Sequence, residues 1–239
     1  MSDSLGQYTV IVPAAGVGKR MGTSVPKQYL TINNQTILEH TVQRLLSHKA
    51  ISHVVIALGE SDEYFPCTSL PNNESVSYVV GGKERVDSVL AGLKSVNAEQ
   101  VPWVLVHDAA RPCVQLQDLT ELIRYCIEND HGGLLATPVR DTMKQESLAG
   151  LVDKTLERCR MWHALTPQMY KTVELISAIT RALAQGINVT DESSAMEAFG
   201  YVSGLVKGSS DNIKITQPED LDLAEFILQQ QNNRFQVEV

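Results

Sequence analysis

Apolar and polar positions alternate along this chain in blocks of two kinds. Residues 9–12, 54–58 and 103–106 are short, continuous apolar runs, as expected of strands buried on both faces. Residues 76–80, 132–136 and 202–206 read as further strands, 213–215 as a shorter one, and 28–32 as a short extended piece. Between these runs the apolar residues recur at helical spacing. Ile37, Leu38, Val42, Leu45 and Leu46 share one face, and Val86, Val89, Leu90 and Leu93 share another. Residues 118–128 predict a third helix. Val173, Ile176, Ile179 and Leu183 form the stripe of a fourth, closed by Gly186 at C′. A short helix opens at residues 190–192 and ends near Gly200. Thr216 and Glu219 have the spacing of a capping box ahead of Leu221, Ala224, Ile227 and Leu228, and the polar tail after Gln229 is expected to fray. Residues 60–75 read as a surface loop. Strand and helix in alternation predict an α/β fold with a mostly parallel sheet covered by helices in three αβα layers.

The alternation breaks between Pro138 and Pro167. Residues 139–144 and 155–158 look extended around a polar centre at 146–150, and neither is apolar enough for a core strand. A projecting β-arm at about 138–165 fits better. A lone hairpin is marginal in water, so such an arm calls for a second surface and suggests a homodimer.

At 239 residues the chain suits a single domain, 1–239, carrying that arm. Its formal net charge of −8 argues against nucleic acid or an anionic membrane as partner. The first residues lack a secretory pattern, and no apolar run reaches membrane-spanning length. Cys67, Cys113, Cys126 and Cys159 show neither C-x-x-C pairing nor metal-ligand spacing, which fits reduced thiols in a cytoplasm.

An acidic protein that binds phosphate must gather its cations locally, and this one gathers them after its first strand. Pro13, Ala14, Ala15, Gly16, Val17, Gly18, Lys19, Arg20 and Met21 are followed by Pro26, Lys27 and Gln28. Two readings fit the stretch: a phosphate cradle of backbone N–H groups with added charge, or a tight strand-to-helix turn. Further on, the strand at 103–106 runs into His107, Asp108, Ala109, Ala110 and Arg111, at the kind of strand end where open α/β sheets collect ligands. Arg20, Lys27, Arg85, Arg111 and Lys214 all fall where strands should end, with Asp108 and Asp211 among them. Carboxylates in that company either pair with the cations or, beside a phosphate loop, help hold Mg²⁺. His107 and His163 adjoin the motifs and read as structural. The residues together point to a phosphate-handling enzyme that uses Mg²⁺.

The strings P-A-A-G-V-G-K-R-M, P-K-Q, G-G-K-E-R-V-D-S-V, V-H-D-A-A-R-P, P-V-R-D-T-M-K, W-H-A-L-T-P-Q, T-D-E-S-S-A and D-N-I-K-I-T run in order from residue 13 to 216. In this the chain resembles the 2-C-methyl-D-erythritol 4-phosphate cytidylyltransferases of the non-mevalonate isoprenoid route. The resemblance implies a Rossmann-like nucleotidyltransferase fold and transfer of CMP from CTP to methylerythritol phosphate, with release of pyrophosphate. It implies that Pro13, Ala14, Ala15, Gly16 and Gly18 wrap CTP. Arg20 and Lys27 would stabilise charge at the α-phosphate, and Lys214 would join them as a catalytic cation. The Ala14 backbone, Gly82 and Ser88 would read cytosine, with Arg85 and Ala109 close by. Asp108, Arg111, Thr166, Thr190 and Lys214 would line the methylerythritol phosphate site. Thr142 and Arg158 on the arm would reach the partner subunit's site, and Asp108 and Asp211 would bind Mg²⁺. Lys83 departs from the acidic residue associated with the family at that position. A ribitol-5-phosphate cytidylyltransferase shares the general loop, P-K-Q and H-D-x-x-R-P, but Ala14-Ala15 stands where it would carry L-A-G-G. A non-catalytic nucleotide-binding relative should have lost some of Arg20, Lys27, Asp108 and Lys214, and all are present.

Overall fold

The computed structural model describes residues 6–16 and 25–237, the last four of these as backbone only. Gly18 and Arg20 therefore lie outside the described residues. In chain order, β1 (Tyr8–Pro13), β2 (Thr31–Ile32) and β3 (Gln35–Thr36) precede α1 (Ile37–Leu46), and β4 (Ile51–Leu58) follows. β5 (Val76–Val80), α2 (Arg85–Ser95), β6 (Trp103–Val106), α3 (Leu116–Asn129) and β7 (Gly133–Pro138) continue the alternation. Then come β8 (Met143–Glu146), β9 (Val152–Leu156), β10 (Trp162–Lys171), α4 (Thr172–Ala184), α5 (Glu192–Glu197), β11 (Gly204–Lys207) and α6 (Glu219–Val237).

Seven strands form the main sheet in the order β11-β7-β10-β6-β1-β4-β5. Every neighbouring pair is parallel except those of β10, which runs antiparallel to β6 and β7. The continuous apolar runs follow from having helices on both faces. Val10 and Val12 pack with Leu38, Val42, Leu119 and Leu122 of α1 and α3, whereas Ile11 points the other way, toward Val89 and Leu93 of α2 and Ile179 of α4. Contact on that second face is close enough that a Cβ on Gly92 would lie 2.5 Å from Ile11 Cγ2. The α/β expectation therefore holds, and so does the mostly parallel sheet.

Several local expectations do not. β10 is a central, ten-residue strand, Trp162–Lys171, whose first residues fall in the region assigned to the arm. Pro167 and the buried polar residues Thr166 and Gln168 hid it, because proline normally marks an edge strand. The register breaks between Ala164 and Gln168, around a cis Thr166–Pro167 bond, so the ladder is interrupted where the proline sits. The hairpin itself is thus β8–β9, residues 143–156 rather than 138–165, and it forms a separate two-stranded sheet. Residues 213–215 are not a strand; one bond, Ile215 N–H to the Ala110 carbonyl at 2.9 Å, pins them across the sheet end. On α4 the buried face is Thr172, Leu175, Ala178, Ile179 and Ala182, and Val173 is exposed. Small alanines seat the helix, and a pattern weighted toward large side chains misplaces its face by one position. Asp220, not Glu219, caps the start of α6 by accepting from Thr216 N–H (2.7 Å) and Gln217 N–H (2.9 Å). That helix runs on to Val237 instead of fraying after Gln229.

Candidate active site

Three parallel strands deliver the site at their carboxyl ends. β1 ends in the segment 13–16, held from below by Gln28, whose buried amide Nε2 donates to the carbonyls of Ala14 (2.7 Å) and Gly16 (3.0 Å). Ala14 N–H donates to the Ala57 carbonyl at 2.8 Å, which ties this segment to the end of β4. β5 ends at Gly81-Gly82, where Ser88 Oγ accepts from Gly82 N–H at 3.1 Å. Gly82 has no room for a side chain, since a Cβ there would lie 2.2 Å from that of Asp87. β6 ends at His107 and Asp108.

Asp108 is the hub. Its Oδ1 pairs with Arg85 Nε at 3.0 Å, and its Oδ2 pairs with Lys214 Nζ at 2.8 Å and Arg111 Nε at 3.4 Å. Burial by itself would raise its pKa, but Arg85, Lys214 and Arg111 outweigh it and hold the carboxyl well below the usual range. Lys214 reaches this point because 212–215 is strapped down: Arg111 Nη1 donates to the Asn212 carbonyl at 2.6 Å, and Asn212 Nδ2 donates to the Thr166 carbonyl at 2.7 Å.

His107 fixes the backbone beneath. Its Nε2 meets the Arg111 carbonyl at 3.0 Å and so carries the proton. Nδ1 is then the acceptor for Thr166 Oγ1–H at 3.0 Å, and Thr166 Oγ1 in turn accepts Asp108 N–H at 3.0 Å. Burial holds His107 neutral, with its pKa pushed down to about 4 against the opposing effects of the Arg111 carbonyl bond and of Asp108. Its unfolded form protonates near 6.5, so its contribution to stability is complete above that pH. It is lost as pH falls toward 4, at most roughly 3 kcal/mol. Urea midpoints should therefore drop more between pH 7 and 4.5 in the wild type than in His107→Gln; equal slopes would contradict the assignment.

Two cavities open on this hub. One of about 410 Å³ is lined by Pro13, Ala14, Ala15, Gly16, Lys27, Gly82, Arg85, Ser88 and Ala109 among others. The second, of about 260 Å³, is lined by Arg111, Thr166, Gln168, Thr190 and Asp191 among others. Arg85, Asp108 and Lys214 line both. The structure thus brings together each described residue assigned to CTP in one cavity. It brings Asp108, Arg111, Thr166, Thr190 and Lys214 together in the other. Thr142 and Arg158 line neither. They flank the base of the β8–β9 hairpin, where Arg158 Nη1 donates to the Arg140 carbonyl.

Asp211 also lines neither cavity, and its Oδ2 accepts from Gln115 Nε2 at 3.1 Å. With the oxygens of Asp108 shared among three cations, Asp108 and Asp211 do not fit a resident magnesium site. Among the described residues no group of three or more His, Cys, Asp or Glu is placed to hold a metal ion.

Sequence reasoning passed over Gln28, Gln168 and Glu192, all buried and all holding other site residues, whereas His107 has the structural role its position suggested. Gln28 and Gln168 stood inside quoted motifs, but a buried amide that only holds other groups has no signature of its own.

Two adjoining cationic cavities at the carboxyl ends of a parallel sheet define a nucleotidyltransferase-type α/β enzyme. Solved structures agree: the Francisella tularensis 2-C-methyl-D-erythritol 4-phosphate cytidylyltransferase superposes with a TM-score of 0.79 at 33% identity, covering 93% of this chain and 100% of that one. The Thermus thermophilus enzyme of the same name gives 0.78 at 28%, covering 92% and 98%. A curated protein of that name from Colwellia psychrerythraea is 57% identical over 235 residues, 95% of this chain and 97% of its own length. The family model for 2-C-methyl-D-erythritol 4-phosphate cytidylyltransferase matches residues 8–230, and the chain belongs to that family.

Proposed function

We propose that this protein transfers CMP from CTP to 2-C-methyl-D-erythritol 4-phosphate, giving 4-diphosphocytidyl-2-C-methyl-D-erythritol and pyrophosphate. The observation that carries this reading is the shared wall of Arg85, Asp108 and Lys214 between a larger and a smaller cavity. CTP occupies the larger, the phosphopolyol the smaller, and their reacting phosphates meet at the wall.

The attacking group is a phosphate oxygen, already anionic, so no general base is needed. The task is to align two polyanions and neutralise charge as one phosphate attacks the other. Arg20, Lys27 and Lys214 supply that charge. Ser88 holds the Gly81-Gly82 turn against cytosine, and Asp108, Arg111, Thr166 and Thr190 position the polyol. Mg²⁺ brought in with the triphosphate would screen phosphate charge, and no residue here is assigned to hold it.

The β8–β9 hairpin leaves Leu148, Leu151 and Val152 exposed, and a second copy of the chain covers them in a homodimer. The four cysteines are free, with Cys113 and Cys126 buried, which suits a reducing cytoplasm. No helix among the described residues is long and apolar enough to cross a membrane.

Pyrophosphate release should require CTP, Mg²⁺ and methylerythritol phosphate together, measured against a panel of phosphorylated polyols and the other nucleoside triphosphates. Turnover with ribitol 5-phosphate alone would transfer the assignment to the related ribitol enzyme.

A further inference from the structure

Glu192 is a buried carboxylate, 2% exposed, that lines neither cavity. It stands at the start of α5, which Ala195 and Met196 anchor in the core beside α4. Gln168 Oε1 fixes the next residue by accepting Ser193 N–H at 2.8 Å. From this anchored position Glu192 takes both ends of one guanidinium: Arg85 Nη1 donates to Oε1 at 2.7 Å and Nη2 to Oε2 at 3.2 Å. Arg85 Nε is left for Asp108 Oδ1 at 3.0 Å. The arginine on the shared wall is therefore committed on three nitrogens to protein carboxylates.

That arrangement has two consequences. An arginine fork is a strong bidentate phosphate binder when open, and here Glu192 closes it. The same grip braces Asp108 from the side opposite Lys214 and Arg111, which fixes where the carboxylate sits between the cavities.

We propose that Glu192 is a positioning residue for the phosphopolyol: it holds Arg85 as a rigid strut onto Asp108 and withholds the guanidinium from the triphosphate. This rests on the assignment of the two cavities made above.

The test uses Glu192→Gln, which keeps shape but removes charge. The acceptor kcat/KM should fall roughly ten- to a hundredfold, as a misplaced positioning group does. CTP binding, followed by calorimetry, should hold or tighten because Arg85 is freed. Glu192→Asp, which keeps the charge on a shorter arm, should recover part of the acceptor loss. A folded Glu192→Gln protein in which both substrates weaken together, or neither changes, would overturn the proposal.

If Glu192→Gln does not fold, Arg85→Met combined with Glu192→Gln removes both charges and avoids an unpaired buried ion. The acceptor defect should persist there without tighter CTP binding; a wild-type acceptor constant in that pair also overturns the proposal. Wild type measured alongside separates the two levels. Failure of wild type to turn over methylerythritol phosphate indicts the assigned substrate, and CTP calorimetry, which needs no acceptor, still decides whether Arg85 was freed.

Discussion

Replacing Lys27 with alanine should lower kcat by roughly 10²- to 10³-fold while CTP binds nearly as before. Lys27 lines the larger cavity from a 3₁₀ turn, Lys27–Tyr29, that Pro26 introduces and the buried Gln28 and Tyr29 hold in place. Its Nζ donates to the Ile215 carbonyl at 3.0 Å, and Ile215 is itself pinned to Ala110. The ammonium is thus tethered to the strap that carries Lys214, on the same side of the cavity as the hub at Asp108.

In the proposed binding mode a cation so placed would meet a triphosphate with many other contacts along the Pro13–Gly16 segment, so ground-state binding should depend on it only weakly. Its larger effect should come when charge builds on the attacked phosphate, since interactions stronger in the transition state than in the ground state are the ones that raise kcat. Calorimetric CTP affinity measured beside steady-state kcat separates the two. A variant that keeps kcat but loses a hundredfold in CTP affinity would assign Lys27 to ground-state binding instead.

The parts of the fold that sequence made legible are those where one interaction decided the local structure. β1, β4 and β6 lie inside the sheet and are buried on both faces, so their runs are easy to read. α1, α2 and α3 each lay one apolar stripe on the sheet. β10 was illegible because its sequence answers to two demands at once: it is a central strand, and it carries Thr166 and Gln168 into the site. Thr166 is polar because it joins His107 to Asp108 N–H, and Gln168 because it holds Asp191 and Ser193. Those needs erased the apolar run.

The site shows the same division. Glycines and cations after strands can be recognised from type and position. That Asp108 is surrounded by Arg85, Arg111 and Lys214 depends on residues 85, 108 and 214 meeting in space, which spacing along the chain does not encode. Asp211 illustrates the converse. It sits in a suggestive motif beside the strap, but its side chain turns to Gln115 at the N-cap of α3.

Mixing inactive Lys27→Ala and Arg158→Ala chains should restore activity. Met143 pairs with Leu156 at the base of the hairpin, so Thr142 and Arg158, just outside that pair, share one end of it. Neither lines a cavity of its own chain, so in the proposed dimer they are available to the other subunit. If Lys27 acts within its own chain and Arg158 acts across the interface, a mixed dimer contains one site with both residues intact and one site lacking both. Random exchange makes half the dimers mixed, each with one working site, so about a quarter of the wild-type rate should return. Each parent dimer alone should stay near background. Confirmation that subunits have exchanged, by mass or by differential tagging, must accompany the assay. Confirmed mixed dimers that remain inactive would place Arg158 in the service of its own chain, and the hairpin would then be an assembly element without a part in the neighbouring site.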